Sequence, residues 1–379
     1  MKYVEDSTIS GRKSEIEIKL KRVREMMEQE GLNGVLLRRH NNFSWITAGG
    51  KNFVTLYLEN GVASVLITKN GQYVLTDAIE EKRMREEELV EDLGFEIAYH
   101  PWYENRLDEM VKERAGDLNL VGCDMHQPEG ARFMNHVINP LHYSLLDNEV
   151  ARYLHLGETL SAALEEYIVT VKPGMTEQEI TGGLCKALWS RGIEQVLYLI
   201  AADERAYDHR HAIPTDKPLK KLLNISVNGR YKGLITTVSR MIHFGGKDEK
   251  LAQAFEAACE VECRSVAAVK VGTDDLNAFY ACRKGYEETG HADMWALHGQ
   301  GGAQSYFNRD YMITESSHRI TVENQGYCFN PVINGAKAED AFICTKDGPL
   351  FITKPVSFPV IEREYAGIRF RLPDMVFAD

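Results

Sequence analysis

The chain has 379 residues, enough for two domains that each bury a core, and 44% of them are apolar against 26% charged, the make-up of an ordinary soluble protein. No apolar run reaches the roughly 18 residues of a membrane span, the opening MKYVEDSTISGRKSEIEIKL is polar, and a formal net charge of -12 excludes nucleic acid as a partner. Seven scattered cysteines without a C-x-x-C pair predict free thiols in a cytoplasmic protein rather than a disulfide frame or zinc cluster.

In chain order, residues 14–31 read as an amphipathic helix, with Ser14 as its cap, Ile16, Leu20, Val23 and Met27 on one stripe, and Gly31 as its stop. Short β-like runs follow at 34–37, 62–68 and 73–76, the last two joined by the Asn70-Gly71 turn signal. The charged stretch 80–91 predicts a helix and 95–99 a strand, so this part is an α/β domain. Residues 127–148, with Pro128, Gly130 and Pro140, form the candidate linker. The predicted domains are therefore 1–147 and 148–379.

The second domain begins with a long helix over 148–170, whose Val150, Leu154, Leu160, Leu164 and Ile168 share a face. V-K-P-G at 171–174 returns as V-K-V-G at 269–272, and Gly192 returns as Gly290, all at an offset of 98. A period of that length predicts two related halves, each a pair of helices feeding strands. Between the repeats, 222–227 and 233–238 predict a β-hairpin with Ser226 and Thr237 near one another on it.

His209, the hairpin strand position Ser226, R-Y-K-G at 230–233 and the closing Ser239-Arg240 together resemble the active-site hairpin of the creatinase, prolidase and methionine-aminopeptidase family. That resemblance extends over nearly the whole chain. It implies a creatinase-like α/β N-terminal domain followed by an α+β pita-bread catalytic domain, in which a curved antiparallel sheet with a pseudo-twofold axis holds the site. It also implies a homodimer. The segment N-N-F-S-W-I-T-A-G-G around Trp45 resembles a hairpin of the N-terminal domain that reaches the partner's site, with Arg38, Arg39 and Lys51 as contributors.

The family's metalloenzymes hold two divalent ions on five ligands. By motif these positions fall on Ser226, Thr237, His298 (in W-A-L-H-G-Q-G-G), Asn330 (in F-N-P-V) and Glu339 (in A-E-D-A), and Ser305 stands where a further histidine is expected. Hydroxyls and an amide are poor ligands for hard cations, and one carboxylate does not compensate two dications. The expected cofactor is therefore none, with a single zinc on the H-x-H pair His209 and His211 plus His298 or Glu339 as the alternative.

Creatinase is the metal-free branch of the family, and the resemblance to it places the acid/base on His209 and the carboxylate anchor on Arg309, a bidentate fork. Asn330 replaces the glutamate that would hold a guanidinium, which points away from creatine. The expected function is thus a metal-independent hydrolase or lyase cleaving a C–N bond in a small carboxylate-bearing molecule. His209, His298 and Glu339 are the catalytic candidates, and Arg309, Arg240, Asn330, Ser226, Thr237 and His211 contact the substrate. The competing readings are a pseudoenzyme that only binds, and an Xaa-Pro dipeptidase with a rebuilt mononuclear metal site.

Overall fold

The computed structural model describes residues 3–379, which divide into two compact units, one ending at Asn148 and one starting at Glu149. The first is built from α1 (Ile9–Glu30), β1 (Gly34–Arg39), α2 (His40–Ile46), β2 (Asn60–Thr68), β3 (Gln72–Asp77), α3 (Glu81–Glu86), β4 (Glu96–His100), α4 (Leu107–Ala115), β5 (Val121–Cys123), β6 (Arg132–Phe133) and α5 (Asn135–Ile138). Its six strands form one sheet in the order β4-β3-β2-β1-β5-β6. β2 and β3 pair antiparallel across the Asn70-Gly71 turn, as the sequence predicts.

Two local expectations need correction. α1 starts five residues earlier than predicted, because the Thr8 hydroxyl, and not Ser14, accepts the N–H of Gly11 and caps it. The segment around Trp45 is no hairpin. It is α2, with Trp45 fully buried, while Arg38 and Arg39 spend their guanidiniums on the carbonyls of Gln127 and Asp124 inside this unit.

The second unit contains α6 (Asp147–Ile168), α7 (Glu177–Trp189), β7 (Glu194–Ala202), α8 (Glu204–Asp208), β8 (Leu222–Tyr231), β9 (Leu234–Phe244), α9 (Glu249–Ala268), α10 (Leu276–Glu288), β10 (Gly301–Ala303), β11 (Tyr311–Met312), β12 (Gln325–Phe329), β13 (Val332–Ile333), β14 (Ala336–Lys337), β15 (Asp340–Thr345), β16 (Gly348–Phe351), β17 (Val360–Tyr365), β18 (Ile368–Pro373) and β19 (Val376–Ala378). A four-stranded sheet, β19-β9-β8-β7, and a five-stranded sheet, β11-β10-β12-β15-β16, form its framework. This is the pita-bread domain.

The duplication is visible in the backbone. α7 and α10 each have 13 residues, and the glycines paired by the offset of 98 all adopt positive φ: +96° and +81° for Gly174 and Gly272, +72° and +80° for Gly192 and Gly290. A side chain would be strained at each of these helix-flanking turns. The two sheets meet where the Ser239 N–H donates to the Glu339 carbonyl at 3.1 Å and the Ile235 N–H to that of Ser305 at 2.7 Å. The site lies along this junction.

Candidate active site

β8 and β9 are joined by a two-residue turn, Lys232-Gly233, with φ of +47° and +84°. Its tightness fixes the register: Ser226 pairs with Ser239, and Asn228 with Thr237. Side chains of a strand alternate faces, so these four polar groups share one face. Ser226, Asn228 and Thr237 line a cavity of about 250 Å³, together with Arg210, His211, His298, Asn308, Arg309, Asn330, Lys337 and Glu339.

Of the residues that the sequence singles out, seven are thus brought to one cavity: His211, Ser226, Thr237, His298, Arg309, Asn330 and Glu339. His209 is not among them. The spacing of 17 residues points to it, yet it lines a narrow side recess of about 20 Å³, behind Arg210, while His211 faces the main cavity. Both histidines lie on the loop from α8 to β8, whose far end is tied back where Asp203 accepts the N–H groups of Lys220, Lys221 and Leu222.

Arg240 does not reach the cavity either. Its guanidinium is fully buried, 2.8 Å from Glu165 Oε1 and 3.3 Å from Asp340 Oδ1. The substrate role expected for it gives way to a structural one.

The site candidates read from the sequence do not include Arg210, Asn228, Asn308 or Lys337 of this lining, and Lys337 is the one of these that meets Glu339. The Asn334-Gly335 turn, with φ of +45° and +81°, folds β13 onto β14 and sets Lys337 across from Val332. Its ammonium lies 2.7 Å from Glu339 Oε2 and 2.8 Å from Ser226 Oγ, and the residue is 7% exposed. The N-G turn and the spacing of two between Lys337 and Glu339 are both legible in the sequence, and they put the two side chains on one face of an extended segment.

Charge pairing organises the rest. Burial pushes the Glu339 carboxyl up, but the cations Lys337 and Arg309 outweigh it and hold the group below the usual carboxylate range. Ser239 Oγ also donates to Glu339, in a very short contact, and sits 2.6 Å from Ser226 Oγ. Arg309 Nη2 stands 3.8 Å from Glu339 Oε1, leaving the guanidinium at the cavity wall.

His298 Nε2 donates to the Asn330 carbonyl at 3.0 Å, and Gln300 Nε2 approaches its Nδ1 at 3.3 Å. Burial pushes its pKa down to about 4, so the ring is neutral near pH 7. Thr237 Oγ1 accepts from Gln304 Nε2 at 2.8 Å. The Asn330 Oδ1 is buried without a partner, an acceptor left for a ligand.

The catalytic unit matches the model of metallopeptidase family M24 over residues 152–346, and the first unit matches the creatinase/prolidase N-terminal domain over 19–136. The chain belongs to metallopeptidase family M24. It is similar to an uncharacterized peptidase of Bacillus subtilis (22% identity, 89% of this chain and 98% of the relative) and to an Xaa-Pro dipeptidase of Pyrococcus horikoshii (21%, 89% and 97%). Among solved structures, an Xaa-Pro dipeptidase from Bacillus anthracis superposes with a TM-score of 0.75 at 20% identity, over 96% of this chain and 99% of the other. The M24 member is thus one of a hydrolase family.

The metal pair that the family implies does not fit these residues. Glu339 is the one anion among the five ligand positions, and its oxygens already meet Lys337, Ser239 and Arg309. His298 Nε2 carries its proton to a carbonyl, and Ser226 Oγ is held by Lys337. A dication here would lie beside an ammonium with a single carboxylate between them. Among the described residues, no group of three or more His, Cys, Asp or Glu is arranged to hold a metal ion.

Proposed function

We propose that this M24 member hydrolyses a C–N bond in a small carboxylate-bearing molecule of about dipeptide size, without the family's metal pair. The observation that carries the proposal is the charge of the cavity: Arg210, Arg309 and Lys337 face it against Glu339 alone. Such a lining selects an anion, and Arg309 offers a carboxylate a planar two-point grip. The names of the similar proteins support a peptide-like amide as the bond.

In this reading, Asn330 Oδ1 and Asn228 hold the polar edge of the substrate and Arg309 its carboxylate. His211 takes the proton of the attacking water and returns it to the leaving nitrogen, a role suited to imidazole near neutral pH. Glu339 and His298 orient the site. The reading includes a cytoplasmic homodimer, which light scattering checks for assembly and cell fractionation for location. Among the described residues no helix is long and apolar enough to cross a membrane.

The test is a panel of dipeptides, Xaa-Pro included, together with amide, ureido and guanidino carboxylates, assayed with and without chelator beside elemental analysis. Chelator-resistant turnover is expected, with Arg309→Leu raising KM about 100-fold, as the loss of a charge-assisted fork implies. Two metals per chain and chelator-sensitive turnover would sink the reading in favour of a metallodipeptidase. Tight binding without turnover would make the protein a pseudoenzyme. If His209→Ala abolishes turnover while His211→Ala does not, the proton role reverts to the residue that spacing alone selects.

A further inference from the structure

We propose that Lys337 is the resident cation of this site: a covalently tethered ammonium that occupies the place of the metals and polarises the scissile carbonyl. The inference rests on the hydrolase reading above but is tested apart from it. Lys337 Nζ touches two of the five ligand positions at once, Ser226 at 2.8 Å and Glu339 at 2.7 Å. An ammonium has three N–H donors. Ser226 and Glu339 engage two of them, so one remains, and Lys337 lines both the main cavity and the side recess.

The surroundings hold the charge in place. Glu339 supplies one negative charge to it, and Ser226 and Ser239 link into the same network by a 2.6 Å contact. The side chain therefore needs no reorganisation to meet a developing oxyanion, the condition under which a fixed donor is most effective. The step balances without a metal. The oxygen of a water molecule forms a bond to the carbonyl carbon while its proton passes to His211. The oxyanion rests on the third N–H of Lys337. Collapse breaks the C–N bond, the nitrogen takes the proton back from His211, and Lys337 remains an ammonium throughout.

Two experiments decide it. On whichever substrate the panel identifies, Lys337→Met should lower kcat about 100- to 1000-fold, the usual loss for one oxyanion donor, with KM changed less than about threefold. Ethylammonium should restore part of the activity of Lys337→Ala, which a merely structural lysine would not allow. Full activity in Lys337→Met, or no rescue of Lys337→Ala, overturns the proposal.

The second experiment needs no substrate. The acids are rebuilt as Ser226→Asp, Thr237→Asp and Asn330→Glu, with and without Lys337→Ala, and Mn²⁺ binding is measured by calorimetry. The form lacking the lysine should bind Mn²⁺ at least about 100-fold more tightly than the form retaining it, since an ammonium and a dication repel at contact distance. Equal affinity would show that the ammonium does not hold the cation position, whatever the substrate. Failure of the substrate panel alone touches only the hydrolase reading.

Discussion

The catalytic domain buries Arg152, Arg240 and Lys337, and the last two differ in what surrounds them. Arg240 has two carboxylates and a carbonyl around it: Glu165 at 2.8 Å, Asp340 at 3.3 Å and its neighbour Ser239 O at 2.8 Å. Glu165 is itself locked, because its Oε2 accepts the N–H groups of Val356, Ser357 and Phe358. Lys337 has one carboxylate and one hydroxyl, and it borders a cavity. A buried cation set between two carboxylates and outside the cavity is part of the frame, whereas one that borders the cavity with a single carboxylate partner is available to a ligand.

The largest way to break that comparison is Arg240→Met. It leaves Glu165 and Asp340 buried without a counter-ion, and the expected cost is about 3–5 kcal/mol of stability, read from urea denaturation. Lys337→Met should cost clearly less, because Glu339 keeps Ser239 and Arg309. Equal losses would mean that Lys337 is as structural as Arg240, and the distinction would fall.

Asp310 sharpens the comparison from the acidic side. Its carboxyl accepts from Ser305 Oγ at 2.7 Å, while Oδ1 is buried without a partner. Burial pushes its pKa up to about 7, and the Ser305 hydroxyl, the Phe307 N–H and the neighbouring Arg309 only partly offset this. The native state thus holds a proton that the unfolded chain releases near pH 3.8. The resulting stability is fully present below pH 3.8 and is lost as the pH rises through 7. Asp310→Asn should flatten that decline, worth about 4 kcal/mol across the window, in melting curves taken from pH 4 to 8. An unchanged slope would show that Asp310 is solvated or paired after all.

How much of this was legible in the sequence depends on which residues carried the signal. The glycines at 174, 192, 272 and 290 and the Ser226–Arg240 frame are local patterns, and they led to the duplicated domain and its hairpin. Arg240 and His209 do not line the main cavity, because a motif fixes sequence distance, not direction. Arg240 turns instead to Glu165, 75 residues away, a partner that no local pattern announces. Lys337 was overlooked for a different reason. It stands at no ligand position of the family, so no motif points to it, although it lies 2.7 Å from Glu339.

The smallest effect is expected at Thr237. Its Oγ1 accepts from Gln304 Nε2, which also donates to the Asn308 carbonyl at 2.9 Å, so Gln304 keeps one acceptor when the hydroxyl is removed. Thr237→Val keeps the branched shape that suits a strand and should cost only about 1 kcal/mol. Its hydroxyl lies on the cavity wall beside Asn228, two register pairs from Ser226. If the variant melts within a few degrees of the wild type but loses turnover more than tenfold, Thr237 meets the substrate. If both change little, its hydroxyl serves Gln304 alone, and recognition rests on the groups with capacity left: Lys337, Arg309 and Asn330.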